Sequence, residues 1–335
     1  MKAYVLHAVG DLRYEDAPTP ECPEGWALVR VKAAGICSSD VPRIFTKGTY
    51  HFPTIPGHEL SGVVESVGSP ADGGLCGRPV GVFPLIPCRR CPQCEAGNYE
   101  MCDHYDYVGS RRDGGFAELV AVPVWNLLPL PEDVSPTVAA MLEPLAVALH
   151  AVKRSRLAAG QSACVVGTGM IGIGAALWAR MLGASTADVV VRNEAKRRMV
   201  ERLGLTAVAA DACAGRYDVA IEAVGTPGAV AQAVGLTAPG GTAVLMGNPS
   251  GDITLAQDVY WRVLRKQITL RGTWNSSYHG AQPSDWTEAA EAIARGAISP
   301  ERLVTHVFAQ NELGRGLEIM RAHSEPYCKI MTTWN

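Results

Sequence analysis

Ala27-Leu-Val-Arg-Val-Lys32 alternates apolar and charged positions, as a half-buried strand does. Gly62–Gly68 and Phe116–Val122 repeat the alternation, and proline and glycine punctuate the intervals. Residues 1–143 therefore predict an all-β, barrel-like domain, with a cysteine-rich lobe inserted at about 86–104. From residue 144 the pattern changes. Ala163–Val166 is a continuous apolar run, followed by a helical stretch to Leu182, a second run at Asp188–Val191 and a charged helix to Leu203. Tyr217–Glu222 and Thr242–Met246 continue the series. Strands alternating with helices predict an α/β, doubly wound parallel sheet over 144–278, with the strand near Thr242–Gly247 at its edge. Residues 279–335 read as helix and then strand, and are expected to rejoin the first domain.

Charge and composition narrow the function. Thirty basic and 33 acidic residues leave a net charge of −3, which argues against a basic nucleic-acid binder and against an acidic solvating tail. A hydrophobic content of 47% is enough for a large core. Met1–Leu12 carries Lys2, His7 and Asp11 and no apolar core of export-signal length. The longest charge-free apolar run, Ala163–Ala179, holds four glycines and is shorter than the ~20 residues of a spanning helix. A cytoplasmic protein with no membrane partner is expected.

Val165-Val-Gly-Thr-Gly-Met-Ile-Gly172 is a G-x-G-x-x-G that closes a predicted strand and opens a helix. In that context Gly167 permits the tight turn, Gly169 lets the backbone approach a pyrophosphate, and Gly172 packs helix on strand. Thr168, Met170 and Ile171 complete the cradle, and Val224 and Gly247 follow later strands of the same sheet. An acid that would bond a ribose 2′-hydroxyl is missing from the end of the second strand. Asp188 lies too early and Glu194 slightly late, and Arg192 and Asn193 stand in its place. Arg192, with Lys196 and Arg197 nearby, suits a 2′-phosphate, so NADP is favoured over NAD. The alternative is a solvated Arg192, with ribose held by Asn193 or Glu194.

Cys88-x2-Cys91-x2-Cys94-x7-Cys102 offers four soft ligands at short spacing, as a closed structural zinc site requires. Two disulfides are disfavoured by the expected compartment. Cys22, Cys76, Cys164, Cys213 and Cys328 are expected to pack as small apolar residues. A second set of ligand types, Cys37, His58, Glu59 and Glu143, is dispersed, and no spacing rule assembles it. Taken singly, Cys37 reads as a buried small residue and His58 as a satisfied loop histidine.

Further stretches change that reading. Ala34-Gly-Ile-Cys-Ser-Ser-Asp40, Pro42-Arg-Ile-Phe45, Pro56-Gly-His-Glu59, Tyr107–Glu118, Leu142–His150 and Gly272–Ser277 occur in order along nearly the whole chain. With the cysteine lobe and the glycine motif, they make the chain resemble the zinc-dependent medium-chain alcohol dehydrogenases, most of all their polyol dehydrogenase branch. The resemblance implies a GroES-like β-barrel catalytic domain joined to a Rossmann domain, with two zinc ions per chain. It assigns Cys37, His58 and Glu143 to a catalytic zinc, and Glu59 as an acid that binds that zinc or exchanges at it. It assigns Asp40 to orienting the histidine and Ser39 to relaying a proton. It assigns Cys88, Cys91, Cys94 and Cys102 to the structural zinc. Such a site makes a hydroxyl more acidic, and nicotinamide takes the hydride.

Arg43, Lys47, Arg111 and Arg112 could pair with a substrate phosphate, and Tyr50, Trp274 and Asn275 could bind a polyol. The expected substrate is a polyol, sugar or cyclitol, free or phosphorylated, oxidised or reduced at a secondary carbon. A threonine-type amino-alcohol dehydrogenase and a non-enzymatic nucleotide-binding member of the fold are the rivals. The resemblance also implies a homodimer or homotetramer.

Overall fold

The computed structural model describes residues 1–209, 214–280 and 282–335. The chain divides into two compact units, one comprising residues 1–143, 277–294 and 299–335 and the other residues 144–276 and 295–298.

The first unit is built on a seven-stranded sheet. The strands Val304–Ala309, Lys329–Thr333, Trp26–Ile36, Glu59–Val67, Pro79–Val82 and Leu127–Pro129 follow one another in space, and Leu119–Pro123 also pairs with Trp26–Ile36. Alternation puts Val29, Val31, Leu60, Val64, Val80, Val82 and Val120 into one buried core. Register matters most at one end of this sheet. Ile330 lies opposite Ile36, and Gly35 lies opposite both Met331 and Glu59. Three strand ends thus meet beside Cys37. The residues beyond 277 supply part of this unit, and the terminal strand runs through its sheet.

The second unit carries a six-stranded, all-parallel sheet. Its spatial order is Thr206–Val208, Thr186–Val190, Ser162–Val166, Tyr217–Glu222, Thr237–Leu245 and Thr269–Gly272. Ser162–Val166 and Tyr217–Glu222 are neighbours in space although two strands separate them in sequence. That is the switch point at which open α/β sheets bind ligands. Only eight residues, Ala209–Arg216, connect the third and fourth strands, and no helix occurs among those described. Buried Tyr217 donates its hydroxyl to Asp188 Oδ2 at 2.7 Å. Asp188 is thereby used within the sheet.

Two expectations need correction. The strand near Thr242–Gly247 is not the edge, because Thr269–Gly272 pairs outside it. That strand reads Thr-Leu-Arg-Gly and is largely exposed, so it lacks the apolar run that marks a buried parallel strand. Cys76 is exposed and not packed, on a glycine-rich surface turn. Cys164 and Cys328 are buried, and Cys22 is half-buried, its thiol donating to Trp26 O at 3.4 Å. Cys213 lies outside the described residues. Among the described residues no helix is long and apolar enough to cross a membrane.

Candidate metal and cofactor sites

The cysteine lobe forms a local cage. The four sulfurs of Cys88, Cys91, Cys94 and Cys102 lie within 4.8 Å of one another, and none is in a disulfide. Cys88 and Cys94 Sγ are 4.0 Å apart, as are Cys91 and Cys102 Sγ. A tetrahedron with metal–sulfur bonds of about 2.3 Å has edges of about 3.8 Å, so the cage matches a closed thiolate site. Pro92 starts the short helical turn Pro92–Glu95, which fixes the spacing of Cys91 and Cys94. The lobe packs on Trp125 through Tyr99, with ring centroids 5.1 Å apart, and Arg89 lies 4.5 Å over the same indole.

The second cluster is assembled from strand ends. Cys37, His58 and Glu59 bring their ligand atoms within 4.8 Å of one another. Cys37 follows the strand Trp26–Ile36, and Glu59 opens Glu59–Val67. Asp40 is fully buried behind them. It accepts from the Cys37 N–H at 2.9 Å and from Arg43 Nη1 at 2.9 Å, and lies 3.6 Å from His58 Nδ1. Burial opposes its ionisation, but His58, Arg43 and the Cys37 N–H together hold its carboxyl below the ordinary range. The same partnership outweighs burial at His58 and raises that imidazole well above its usual value.

Glu143 lies in the first turn of the helix Leu142–Ser155 and is buried. Burial and then the charge of Glu59 push its carboxyl up to about 7, while His58 and Lys329 work in the opposite direction. It shares the electrostatic neighbourhood, but its carboxylate is outside the 4.8 Å group. Ser39 is half-buried at the N-terminus of the Asp40–Pro42 turn, and its side chain does not cap that turn.

Sequence reasoning missed three residues here. Lys329, only 2% exposed, forms an ion pair with Glu59 Oε2 and donates to Ile36 O at 3.0 Å. Burial should lower its pKa, but the charges of Glu59 and Cys37 raise it above the usual lysine value. Gly35 makes this possible, since a Cβ there would overlap the Glu59 carboxylate and Lys329 Cε. Nothing local marks the pairing, because Lys329 and Ile36 are 293 residues apart. Tyr107 sets its ring edge-on to His58, with centroids 5.7 Å apart. In the second unit, buried Glu222 accepts from Val224 N, Gly225 N and Gly247 N at 2.6, 2.7 and 3.2 Å. It pins the loops that carry Val224 and Gly247.

The glycine motif occupies the switch point. Gly167 has φ +128°, and a Cβ on Gly172 would strike Gly167 O. A Cβ on Gly169 would meet no protein atom within 4 Å, and Met170–Met181 starts directly after it. The turn with Thr168, Met170 and Ile171 therefore presents open space and free helix N–H groups, which fits a pyrophosphate. Arg192 and Asn193 follow the second strand, both exposed, and Asn193 Oδ1 caps the next helix by accepting from Lys196 N at 2.9 Å. Arg197 is engaged by Glu194, Glu201 and Ala207 O.

The substrate-binding candidates have different surroundings. Arg43 is committed to Asp40, and Arg112 to Asp106 Oδ2 at 2.7 Å. Lys47 and Tyr50 are exposed. In the second unit Trp274 is 50% exposed, and Asn275 is buried at φ 56°, its Oδ1 accepting from Ser276 N.

Comparison with known proteins agrees with this chemistry. Residues 23–132 match the alcohol dehydrogenase GroES-like domain, and residues 171–295 match the zinc-binding dehydrogenase family. Galactitol 1-phosphate 5-dehydrogenase of Escherichia coli (strain K12) is 32% identical, over 91% of this chain and 92% of its own length. The crystal structure of galactitol-1-phosphate dehydrogenase from Escherichia coli covers 99% of this chain and 100% of that one, with 30% identity and a TM-score of 0.91. L-threonine 3-dehydrogenase of Bacillus subtilis (strain 168) is 31% identical, over 92% of this chain and 91% of its own. A zinc-binding dehydrogenase from Sinorhizobium meliloti 1021 bound to NADP has 30% identity and a TM-score of 0.88, covering 99% of this chain and 98% of that one. The chain thus belongs to the zinc-dependent medium-chain alcohol dehydrogenase family and is an oxidoreductase acting on CH–OH groups.

Proposed function

We propose that this enzyme moves hydride between NADP and a secondary alcohol of a polyol, sugar or cyclitol, or its phosphate. The observation that carries the reading is the cluster of half-buried Cys37 with buried His58 and Glu59, backed by Asp40. Cys37, His58 and Glu143 would hold a catalytic zinc with Glu59 beside it, and the four-cysteine cage a structural one. When bound, the zinc supplies Lewis acidity to a substrate hydroxyl and the nicotinamide a hydride acceptor.

The chain's own residues orient and deprotonate. Asp40 faces Nδ1 of His58 and leaves Nε2 for the metal. Arg43 compensates the Asp40 charge. Ser39, with its hydroxyl unused by the adjacent turn, would relay the substrate proton, passing its own hydroxyl proton on to water as it accepts. Lys329 holds the Glu59 carboxylate in an ion pair. Residues 165–172 hold the cofactor pyrophosphate, with Val224 and Gly247 on the loops organised by Glu222. Arg192 favours a 2′-phosphate over a free 2′-hydroxyl.

A threonine-type reading is the second one, favoured by the 31% identity to L-threonine 3-dehydrogenase. A substrate screen of polyols, polyol phosphates and threonine separates the two. The cofactor half is tested by fluorescence titration with NADPH and NADH. Tighter NADPH binding that is lost in Arg192→Ala supports the reading, and tighter NADH binding overturns it. The exposed edge strand Thr269–Gly272 and the exposed Tyr260, Trp261 and Leu264 fit a homodimer or homotetramer interface in a cytoplasmic enzyme.

A further inference from the structure

Four basic residues were candidates for an anionic substrate group, and their surroundings single out one. Arg43 and Arg112 each have a carboxylate partner, Asp40 and Asp106. Lys47 is exposed on a surface turn. Arg111 differs from all three. No carboxylate pairs with it among the described residues, and its Nε is buried with no hydrogen-bond partner. Its guanidinium lies 4.3 Å from the Tyr50 ring centroid and 4.5 Å from that of Tyr105, and Nη1 donates to Tyr105 O at 3.2 Å. Rings packed on a guanidinium leave its edge for hydrogen bonding, and on that edge Arg111 Nε is enclosed with its donor unused. That edge is the fork that receives a phosphate or carboxylate in bidentate fashion.

Its position is also fixed relative to the metal cluster. Tyr107 O accepts from the backbone N–H of Arg111 at 2.9 Å and of Arg112 at 3.1 Å, so a tight turn holds Arg111 against Tyr107. The Tyr105 and Tyr107 rings are 6.2 Å apart, and Tyr107 meets His58 at 5.7 Å. His51 Nε2 adds a contact to Arg111 O at 3.2 Å. A short aromatic path therefore joins an uncompensated, pre-oriented cation to the cluster where the hydroxyl is proposed to react.

We propose that Arg111 is the anion anchor of the substrate site. It binds the phosphate or carboxylate at one end of a polyhydroxylated chain while a distant secondary hydroxyl meets the metal. This rests on the dehydrogenase reading above and narrows its substrate class to anionic polyols. Tyr50 and Tyr105 hold the guanidinium in place, so binding costs little side-chain ordering.

The test compares galactitol 1-phosphate, galactonate and galactitol as substrates of the zinc-loaded enzyme, wild type against Arg111→Met and Arg111→Lys. The wild type should prefer at least one anionic compound over galactitol. Arg111→Met should lower kcat/KM for that compound roughly 30- to 100-fold, chiefly through KM, with a loss on galactitol at least tenfold smaller. Arg111→Lys should recover part of the loss, and the compound with the larger loss tells phosphate from carboxylate. Equal losses on all three, or none, overturn the anchor and leave the dehydrogenase standing. If none is turned over, calorimetric titration with galactitol 1-phosphate decides. Binding abolished by Arg111→Met supports the anchor while the polyol reading falls, and no binding to the wild type overturns the anchor.

Discussion

The two candidate metal clusters of this chain are built in opposite ways. The cysteine cage takes its four ligands from one short loop, all of one chemical type, with a proline-started turn setting their spacing. The Cys37–His58–Glu59 cluster takes unlike ligands from separate strand ends, and is steadied by Asp40, Arg43 and a lysine from the terminal strand. In the first, a bound metal would organise the loop. In the second, the sheet organises the ligands. Loss of metal should therefore unfold the one and leave the other standing.

The largest effect is expected from breaking the cage. Cys91→Ala should remove one metal per chain by elemental analysis and open residues 86–104 to limited proteolysis. Apparent structural-zinc binding energies of about 10–16 kcal/mol show how much order such a loop owes to its metal. His58→Ala should abolish turnover and remove the other metal, while the melting temperature shifts by only a few degrees. If His58→Ala proves the more unfolding of the two, the contrast fails.

Lys329→Met tests the sheet-built cluster from its far side. It removes the cation paired directly with the buried Glu59 carboxylate, which should cost about 3–5 kcal/mol in chelator-treated protein. Loading with zinc should recover much of that loss, because the metal replaces the missing charge. Denaturant unfolding with and without zinc measures both. An undiminished loss on loading would mean that Lys329 serves packing alone.

The smallest effect concerns Asp40. Its folded-state pKa is depressed, so its contribution is fully present above the ordinary carboxylate value and is lost as pH falls below it through the lower folded-state value. Asp40→Asn should be less stable near neutrality by about 2 kcal/mol and should flatten the acid side of the stability profile. Parallel profiles for variant and wild type would show that the carboxylate charge carries no weight there.

The contrast also explains what could be read from the chain. The cage was legible because spacing alone brings its sulfurs together. The Rossmann-type turn was legible because Gly167, Gly169 and Gly172 each answer a local backbone demand. Val29–Val31 and Val64 announced their strands by alternation. Cys37, His58 and Glu59 were found only through motif resemblance, since sheet register brings them together and no register can be read from alternation alone. Lys329 gave no signal at all, because its partner lies on another strand end and burial inverts what a lysine ordinarily means. The edge strand Thr269–Gly272 escaped notice because an exposed parallel edge lacks the apolar run by which buried strands are recognised.

The pairing of Lys329–Thr333 with Ala33–Ile36 has a consequence in time. It is among the longest-range contacts the chain can make, and such loops close late in folding. A nascent chain can complete its cysteine cage as soon as one loop has emerged. Its other cluster waits for nearly every residue through Thr333. On the two-zinc proposal, metal would be captured in two acts, the first during synthesis and the second only by a folded chain, so a truncated product would hold one metal and do no chemistry.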